Sequence, residues 1–443
     1  MNMAIVQPRT PSGFPEHLPG DQIEFNRLMG IVRSVYEEYG FAPLDTPDLE
    51  LSDILLTKSG GETEQQVYRF KKGSNDLTMR FDLTVPLARY AAQHESELVF
   101  PFRRYHLGKV HRGERAQAGR FREFYQCDID VIGSKSLAVD AELPAIINEV
   151  FSRFDFGEFT IRINNRMILN GFFEGIGIGH VSVEVLRVID KIEKISRNDL
   201  VSELIGLGLS DAQVQKTLEF TEISGDNEAI IQSLRGLDVV SDTFAEGVEK
   251  ISTLIEMLRM MGVPESRFIV DLKIARGLDY YTGTVYETTL NDHPEIGSVC
   301  SGGRYDNLAS HYTKTDLPGV GISIGLSRLF YKLKELGVVG SSRQSPARIV
   351  VMPLGEAQLE RALFVATLMR RGGCAVMLYA ESNDLRRKMR YADKMGFEWV
   401  VLIGEKEQQA GKVMLKCMAT GETLLLNDEA VLEAIGEADR TPE

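Results

Sequence analysis

Arg122-Glu123-Phe124-Tyr125-Gln126-Cys127-Asp128-Ile129-Asp130-Val131 is the stretch whose reading decides the fold. Period-two alternation places Arg122, Phe124, Gln126, Asp128 and Asp130 on one face of a strand, and Cys127, Ile129 and Val131 on the other. A strand-like run from Arg104 to Val110 precedes it and leads into Arg112. The loop Gly113-Glu114-Arg115-Ala116-Gln117-Ala118-Gly119-Arg120 joins the two as a β-hairpin. A face holding Arg, Gln and two Asp cannot be dry core without partners, because unpaired buried charge is costly. Periodicity leaves two readings open. One is a solvated outer face; the other is a cavity floor offering a guanidinium to phosphate and carboxylates to a cationic or polar ligand.

Further along, Gly319-Val320-Gly321-Ile322-Ser323-Ile324-Gly325 invites a dinucleotide-binding reading, which its G-x-G-x-x-x-G spacing and lack of a βαβ context exclude. It reads as a strand with Val320, Ile322 and Ile324 toward the core. The opposite face, with Gly321, Ser323 and Gly325, is left bare enough for a flat ring to lie on it. Arg328 follows in the first turn of a helix, within reach of a phosphate. No G-x-x-x-x-G-K-[ST] occurs, so an ATP site here is not a P-loop. Two segments, Arg276-Gly277-Leu278-Asp279-Tyr280-Tyr281-Thr282-Gly283-Thr284 and Ser301-Gly302-Gly303-Arg304-Tyr305-Asp306, set glycines beside tyrosines and arginines. Such turns let a ligand approach backbone while phenol hydroxyls point at it, although single Gly-Tyr turns are more often structural.

At 443 residues the chain exceeds one ordinary core, so two or three domains are expected. A helical stripe from Asp21 to Gly40 opens it, strands follow, and residues 181–261 read as an inserted helical module. The loop 337–346 reads as a linker. Beyond it, strands at 349–352, 375–379 and 399–403 alternate with helices at 356–371 and 385–395, which implies a small α/β domain with a largely parallel sheet. The net charge of −14 argues against nucleic-acid binding by bulk charge. Local basic runs remain at 112–122 and at Arg386-Arg387-Lys388-Met389-Arg390, and each alone reads more readily as a solvated face. The cysteines Cys127, Cys300, Cys374 and Cys417 lack metal-ligand spacing, and His106 and His111 point to opposite sides of one strand, so no metal site is expected. With no apolar run suited to a signal peptide or a bilayer span, the reading is a cytoplasmic protein without membrane association.

Together these segments closely resemble the histidyl-tRNA synthetase family of class II aminoacyl-tRNA synthetases. The region around Pro47 resembles class II motif 1, Arg104 to Asp130 motif 2, and Gly319 to Arg328 motif 3; the tyrosine-rich segments match the histidine-specific motifs. The resemblance implies an α+β fold: an antiparallel-sheet catalytic domain over 1–336 carrying the helical insertion, and a C-terminal α/β anticodon-binding domain over 347–443. It implies ATP, L-histidine and tRNA(His) as substrates, Mg²⁺ with the ATP, and a homodimer. Arg112 and Arg328 would hold ATP phosphates, with Glu114 near the adenine. Asp82, Thr84 and Gln126 would bind the α-amino group. Arg276 would contact the α-carboxylate and α-phosphate, making Arg276 and Arg112 the catalytic arginines. Tyr280 belongs to the histidine site, where Asp130, Tyr281 and Tyr305 face the imidazole. Arg386, Arg387 and Arg390 would meet tRNA. Ser327 departs from the pattern, since glutamate often precedes the motif 3 arginine, and this puts part of the metal or ribose coordination in doubt. The rival is the regulatory subunit of ATP phosphoribosyltransferase, which shares the catalytic fold but typically lacks the last domain; this chain keeps Arg276, Gln126 and the residues after Pro346. A class II synthetase for another amino acid fits the last domain but not the tyrosine-rich segments.

Overall fold

The computed structural model describes residues 6–56, 66–115, 119–192, 195–274 and 281–439. The chain divides into two compact units, one of Met1–Pro15 with Leu28–Val338, the other of Glu16–Arg27 with Val339–Glu443. The division falls within the stretch read from sequence as a linker.

In the first unit the strands are β1 (Ala42–Pro43), β2 (Leu49–Leu51), β3 (Arg69–Lys72), β4 (Asn75–Met79), β5 (Phe102–His111), β6 (Glu123–Ile132), β7 (Phe159–Asn165), β8 (Phe268–Val270), β9 (Thr284–Leu290), β10 (Ser298–Tyr305) and β11 (Gly319–Ile324). Among the described residues eight of these form one sheet in the order β1-β5-β6-β11-β10-β9-β7-β8. Only its two outer pairs, β1·β5 and β7·β8, run parallel. The small sheet β2-β4-β3 stands apart. Helices that bear on the site are α1 (Pro19–Glu38), α2 (Thr84–Gln93), α3 (Leu137–Phe154), α4 (Arg166–Gly175), α5 (Asp242–Met260) and α6 (Leu326–Glu335).

The alternation of the central strands explains the layering. Cys127, Ile129 and Val131 on β6 and Val320, Ile322 and Ile324 on β11 are buried. The inner face of α3 supplies Leu143, Ile146, Ile147 and Val150, and the later turns of α1 supply Val32, Val35 and Tyr36. The Tyr36 hydroxyl donates to the Cys127 carbonyl at 3.1 Å, so even its polar end is satisfied in that layer. The other face of the sheet is left for polar chemistry.

Within 181–261 four of the helices start on side-chain caps: Ser196, Ser210, Asp226 and Ser241 each accept a backbone N–H, and Ser210 forms a capping box with Gln213. The last of them, α5, is also a wall of the catalytic unit. It crosses α4 so closely that a Cβ on Gly171 would meet the Phe244 backbone, and one on Gly247 would lie 2.7 Å from Ile168 N. Glycine on both sides is what permits that approach.

In the second unit, β12 (Ile349–Pro353), β13 (Val376–Leu378), β14 (Trp399–Ile403), β15 (Val413–Cys417) and β16 (Thr423–Leu426) form a sheet in the order β13-β12-β14-β15-β16. This corrects the expectation of a largely parallel sheet: β13-β12-β14 are parallel, but β15 and β16 add an antiparallel hairpin. No helix separates those two strands, so no βαβ crossover constrains their direction. Helices α7 (Leu359–Arg371) and α8 (Leu385–Met395) cover the sheet. The presumed linker is not a free tether. Gln344 N donates to Met395 O at 2.9 Å, and a Cβ on Gly396 would press on Ser342 and Arg343.

Candidate active site

The polar face of β6 becomes a site through its neighbours across the sheet. Register places Arg104, Asp130, Gly321 and Gly303 in one row, and His106, Asp128, Ser323 and Ser301 in the next. Gly108 stands opposite Gln126. Between the two open readings of this face, the structure rules out the solvated one: Asp128 is 2% and Asp130 3% exposed, while Phe124 and Gln126 of the same face line a cleft.

Arg104, wholly buried, makes an ion pair with Asp130 Oδ2 at 2.7 Å and donates to the Leu83 carbonyl at 3.1 Å. The Tyr305 hydroxyl donates to Asp130 Oδ1 at 2.5 Å. Space for that carboxylate exists because residue 321 is glycine; a Cβ there would collide with Asp130, and one on Gly319 with the Tyr305 ring. This corrects the expected bare face. Beneath Gly321 and Gly319 lie protein side chains, and only Ser323 and Gly325 are left to line open space. Asp82 sits at the start of α2, where its Oδ1 accepts the Val85 N–H at 3.1 Å, and Thr84 opens the helix half-buried. Burial pushes the Asp82 carboxyl up in pKa against the pull of that N–H and of Arg112 and Arg104. Burial likewise raises Asp128 to about 7 and Asp130 to about 6, with Arg104 opposing in both cases.

Next to the carboxylates, where Ser323 stands opposite Asp128, lies a cleft of about 380 Å³, lined among others by Arg112, Glu114, Phe124, Gln126, Ser323 and Arg328. Arg112, just past β5, donates from Nε to the Phe81 carbonyl at 3.0 Å and lies over the Phe124 ring at 5.2 Å. Its fork is thereby held at the cleft wall. Arg328, in the first turn of α6, donates to the Ile296 carbonyl at 2.6 Å. Gln126 donates from Nε2 to Ser323 Oγ at 2.8 Å, while its Oε1 is buried with no hydrogen-bond partner among the described residues. Tyr281 is half-buried beside Gly303, in the apolar cluster that includes Tyr305.

Other expected residues fall elsewhere. Arg276 and Tyr280 lie outside the described residues. Arg304, from the second tyrosine-rich segment, turns away from the cleft and clamps buried Asp140 at 2.7 Å while donating to the Ser134 carbonyl. Ser327 is buried, and its hydroxyl accepts the Tyr125 N–H at 2.8 Å, so it serves the backbone of β6. His106 pairs with Asp45 and His111 with Glu123, and no group of three potential metal ligands occurs among the described residues. Sequence reading missed Arg104 as a site residue, and it placed Asp128 and Ser323 on the candidate faces without giving either a role of its own. The available signal for Arg104 was its charge on a strand otherwise turned toward the core, which demands a buried partner.

On α8, Arg386, Arg387 and Arg390 are exposed, whereas Lys388, read with them as part of a solvated basic run, is 2% exposed. Its Nζ donates to the Glu381 carbonyl at 2.7 Å and lies over the Tyr379 ring. Two residues after Arg386 a helix has turned to the opposite side, so this lysine faces the sheet.

The two raised aspartates carry a stability consequence. Both bind protons in the folded protein at pH values where the unfolded chain, with aspartates near ~4, has released them. Their contribution is therefore full below about pH 4 and is lost as pH rises toward 7. His106, lowered to about 4 mainly by burial, acts oppositely, its contribution being lost as pH falls below 6.5. The Asp128→Asn variant should separate the two. Its melting temperature relative to the parent should rise by a few degrees between pH 5 and pH 8, and a difference that stays flat would refute the raised value.

Comparison with known proteins follows this geometry. A family model described as histidyl-tRNA synthetase matches residues 13–329, and one described as anticodon binding domain matches 348–438. A histidine–tRNA ligase from Clostridium tetani is 52% identical, covering 99% of this chain and 100% of the relative. Another from Xanthomonas campestris is 47% identical over 93% of this chain and 92% of its own length. The crystal structure of histidyl-tRNA synthetase from Nostoc sp. PCC 7120 superposes with a TM-score of 0.92 at 39% identity, covering 98% of this chain and 100% of that one. A Bacillus halodurans protein described as an ATP phosphoribosyltransferase regulatory subunit/histidyl-tRNA synthetase shares the fold, with a TM-score of 0.75 at 21% identity over 90% of this chain and 99% of that one.

Proposed function

This chain belongs to the histidyl-tRNA synthetase family, and as a histidine–tRNA ligase it uses a cleft whose two ends, we propose, divide the work between amino acid and nucleotide. The observation that carries this division is the polarity of the cleft. Three carboxylates, Asp82, Asp128 and Asp130, gather around the buried Arg104 guanidinium beside Gln126 and Ser323, which line the cleft together with Arg112 and Arg328. A ligand cationic at one end and phosphorylated at the other complements that gradient. The regulatory-subunit alternative falls away, since near-full-length relatives of this chain are histidine–tRNA ligases and its anticodon-binding domain is present.

In the reaction we assign, the histidine carboxylate attacks the α-phosphate of ATP in line, forming histidyl-adenylate and releasing pyrophosphate. The terminal ribose hydroxyl of tRNA(His) then attacks the adenylate carbonyl and AMP leaves. Charge builds on phosphate oxygens in the first step, so arginines already fixed in place lower its barrier by positioning and electrostatics. Arg112 and Arg328 take the phosphates and Glu114 the adenine side. Arg276, in the stretch outside the described residues, takes the α-carboxylate and α-phosphate. Asp82, Thr84 and the buried Gln126 Oε1 receive the α-ammonium. Asp130, held by Tyr305 and Arg104, reads the imidazole with Tyr280 and Tyr281. A site that hydrogen-bonds both ring nitrogens rejects an isostere lacking them by about 10⁴–10⁵.

Mg²⁺ fits as an ion that arrives with ATP. Glu114 is the carboxylate among the cleft-lining residues, Ser327 is spent on the Tyr125 N–H, and Mg²⁺ commonly takes most of its ligands from phosphate and water. Bound there, it would neutralise phosphate charge. Arg386, Arg387 and Arg390 offer the exposed basic face for tRNA. A homodimer is supported by the small sheet after Pro47, which exposes Leu49, Leu51 and Phe70 as a dimer-forming patch would. We place the enzyme in the cytoplasm, where its four free cysteines stay reduced. Among the described residues no helix is long and apolar enough to cross a membrane.

Pyrophosphate exchange measured with each amino acid in turn tests the assignment, with histidine alone expected to support it. Tyr281→Phe should weaken histidine activation by about 1–3 kcal/mol, the cost of stranding a buried polar group, with ATP affinity nearly unchanged. Equal losses for both substrates would point to structural damage instead.

A further inference from the structure

Ser323 has one proton and two neighbours that can use it. It stands opposite Asp128 in the β6–β11 register, on the same face of the sheet, and its hydroxyl favours the ionised form of that carboxylate. On its other side it accepts from Gln126 Nε2 at 2.8 Å. An ionised carboxylate only accepts, so the Ser323 proton goes to Asp128 and the Ser323 lone pair goes to the glutamine. That order fixes the amide: Nε2 faces Ser323, and Oε1 faces the site, buried and without a partner among the described residues.

We infer that Asp128 and Ser323 are positioning residues that set which end of the Gln126 amide meets the α-ammonium of the amino acid. The inference rests on the assignment of Gln126 to that ammonium. An oxygen presented there attracts the cation, whereas a reversed amide presents N–H donors and repels it. Asp128 Oδ1 is itself buried with no hydrogen-bond partner among the described residues.

The relay depends on the charge of Asp128, and the groups facing it tune that charge. Burial disfavours the ionised form, as do Asp130 on the same strand and Asp82 ahead of α2; Arg104 from β5 and the Ser323 hydroxyl favour it. His106, the cross-strand neighbour on β5, is kept neutral near pH 7 by its own burial. On the opposite side of the sheet Cys127, Cys300 and Tyr36 are raised in pKa by burial and by Asp128 itself, and stay neutral. With Asp128 pushed up to about 7, its protonation turns an acceptor into a donor. Ser323 can then accept from Asp128 and donate to Gln126 Oε1, and the amide reverses.

The test is pyrophosphate exchange by the full-length protein at saturating ATP, with histidine KM and kcat followed from pH 6 to pH 8.5. Ser323→Ala should raise the histidine KM at pH 8 by about tenfold or more, the loss of one charge-assisted hydrogen bond. Its kcat and ATP KM should move far less, and Ser323→Thr, which keeps the hydroxyl, should restore the histidine KM. Dividing the parent KM by that of Asp128→Asn at each pH cancels ionisation of histidine itself, and this ratio should climb as pH falls through 7. A flat ratio, or a normal histidine KM in Ser323→Ala, overturns the relay. Gln126→Ala separates the two levels of the argument. If it leaves the histidine KM unchanged, the assignment of Gln126 fails and the relay with it; if it raises the KM while Ser323→Ala does not, only the relay fails. Should Asp128→Asn not fold, the Ser323 pair carries the decision.

Discussion

Replacing Arg112 with alanine should lower histidine-dependent pyrophosphate exchange by about 10²–10³, the usual loss when one preorganised donor to transition-state charge is removed. The Arg112 side chain is already held in place. Nε is committed to the Phe81 carbonyl and the guanidinium lies over the Phe124 ring, so the fork reaches the cleft with little freedom left to lose. A lysine at 112 keeps the charge but neither the Nε bond nor the stacking, and it should recover only a small part of the activity. Most of the loss should appear in kcat, because charge on the α-phosphate oxygens grows only as the reaction proceeds. A folded Arg112→Ala protein with exchange within tenfold of the parent would remove Arg112 from the phosphate role.

Reversing charge on α8 should do the opposite, sparing amino-acid activation and disabling tRNA charging. The helix is well suited to hold a fixed basic face. Asp384 caps it by accepting the Arg387 N–H at 2.8 Å, and Gly396, at φ 72°, ends it in the left-handed conformation that glycine adopts freely. With Arg386, Arg387 and Arg390 all changed to glutamate, tRNA affinity should fall by about 10–100-fold at moderate salt. The slope of log affinity against log salt should become shallower by about 2–3, as fewer counterions are released. Buried Lys388 supplies a control within the same helix: its loss should reduce the stability of the second unit without altering that slope. Removing everything after Ser345 is a coarser version of this experiment, because residues 16–27 belong to the second unit and would lose their packing partner. An unchanged salt slope in the triple variant would rule out this helix as a tRNA contact.

What was legible in the sequence follows from what a single strand or helix encodes by itself. The alternation of β6 and β11 named their core faces, because side-chain direction has a period of two whatever lies alongside. Helix α8 could be bounded by Asp384 and Gly396, since caps are local chemistry. Register is not local, and the centre of the site is made of register. Arg104 and Asp130 lie on different strands, and nothing within either segment says that they pair. The same blindness made Gly321 look like bare floor, when its missing side chain is the room occupied by the Asp130 carboxylate. Lys388 was misjudged for a related reason: four basic residues in five read as one charged patch until helical phase sends one of them inward. The β15–β16 hairpin escaped because its strands follow the last β–α repeat without a change in composition that announces antiparallel pairing.

The fit between Gly321 and Asp130 has a use at the bench. A slip of β11 by one residue would turn every side chain on it to the other face, setting Val320 or Ile322 against the carboxylate. Such a molecule could bury a respectable core and still have no room for an amino acid above the sheet. Retention on a resin bearing immobilised histidine would therefore sort refolded material by strand alignment, a property that helix content or apparent size alone would not reveal.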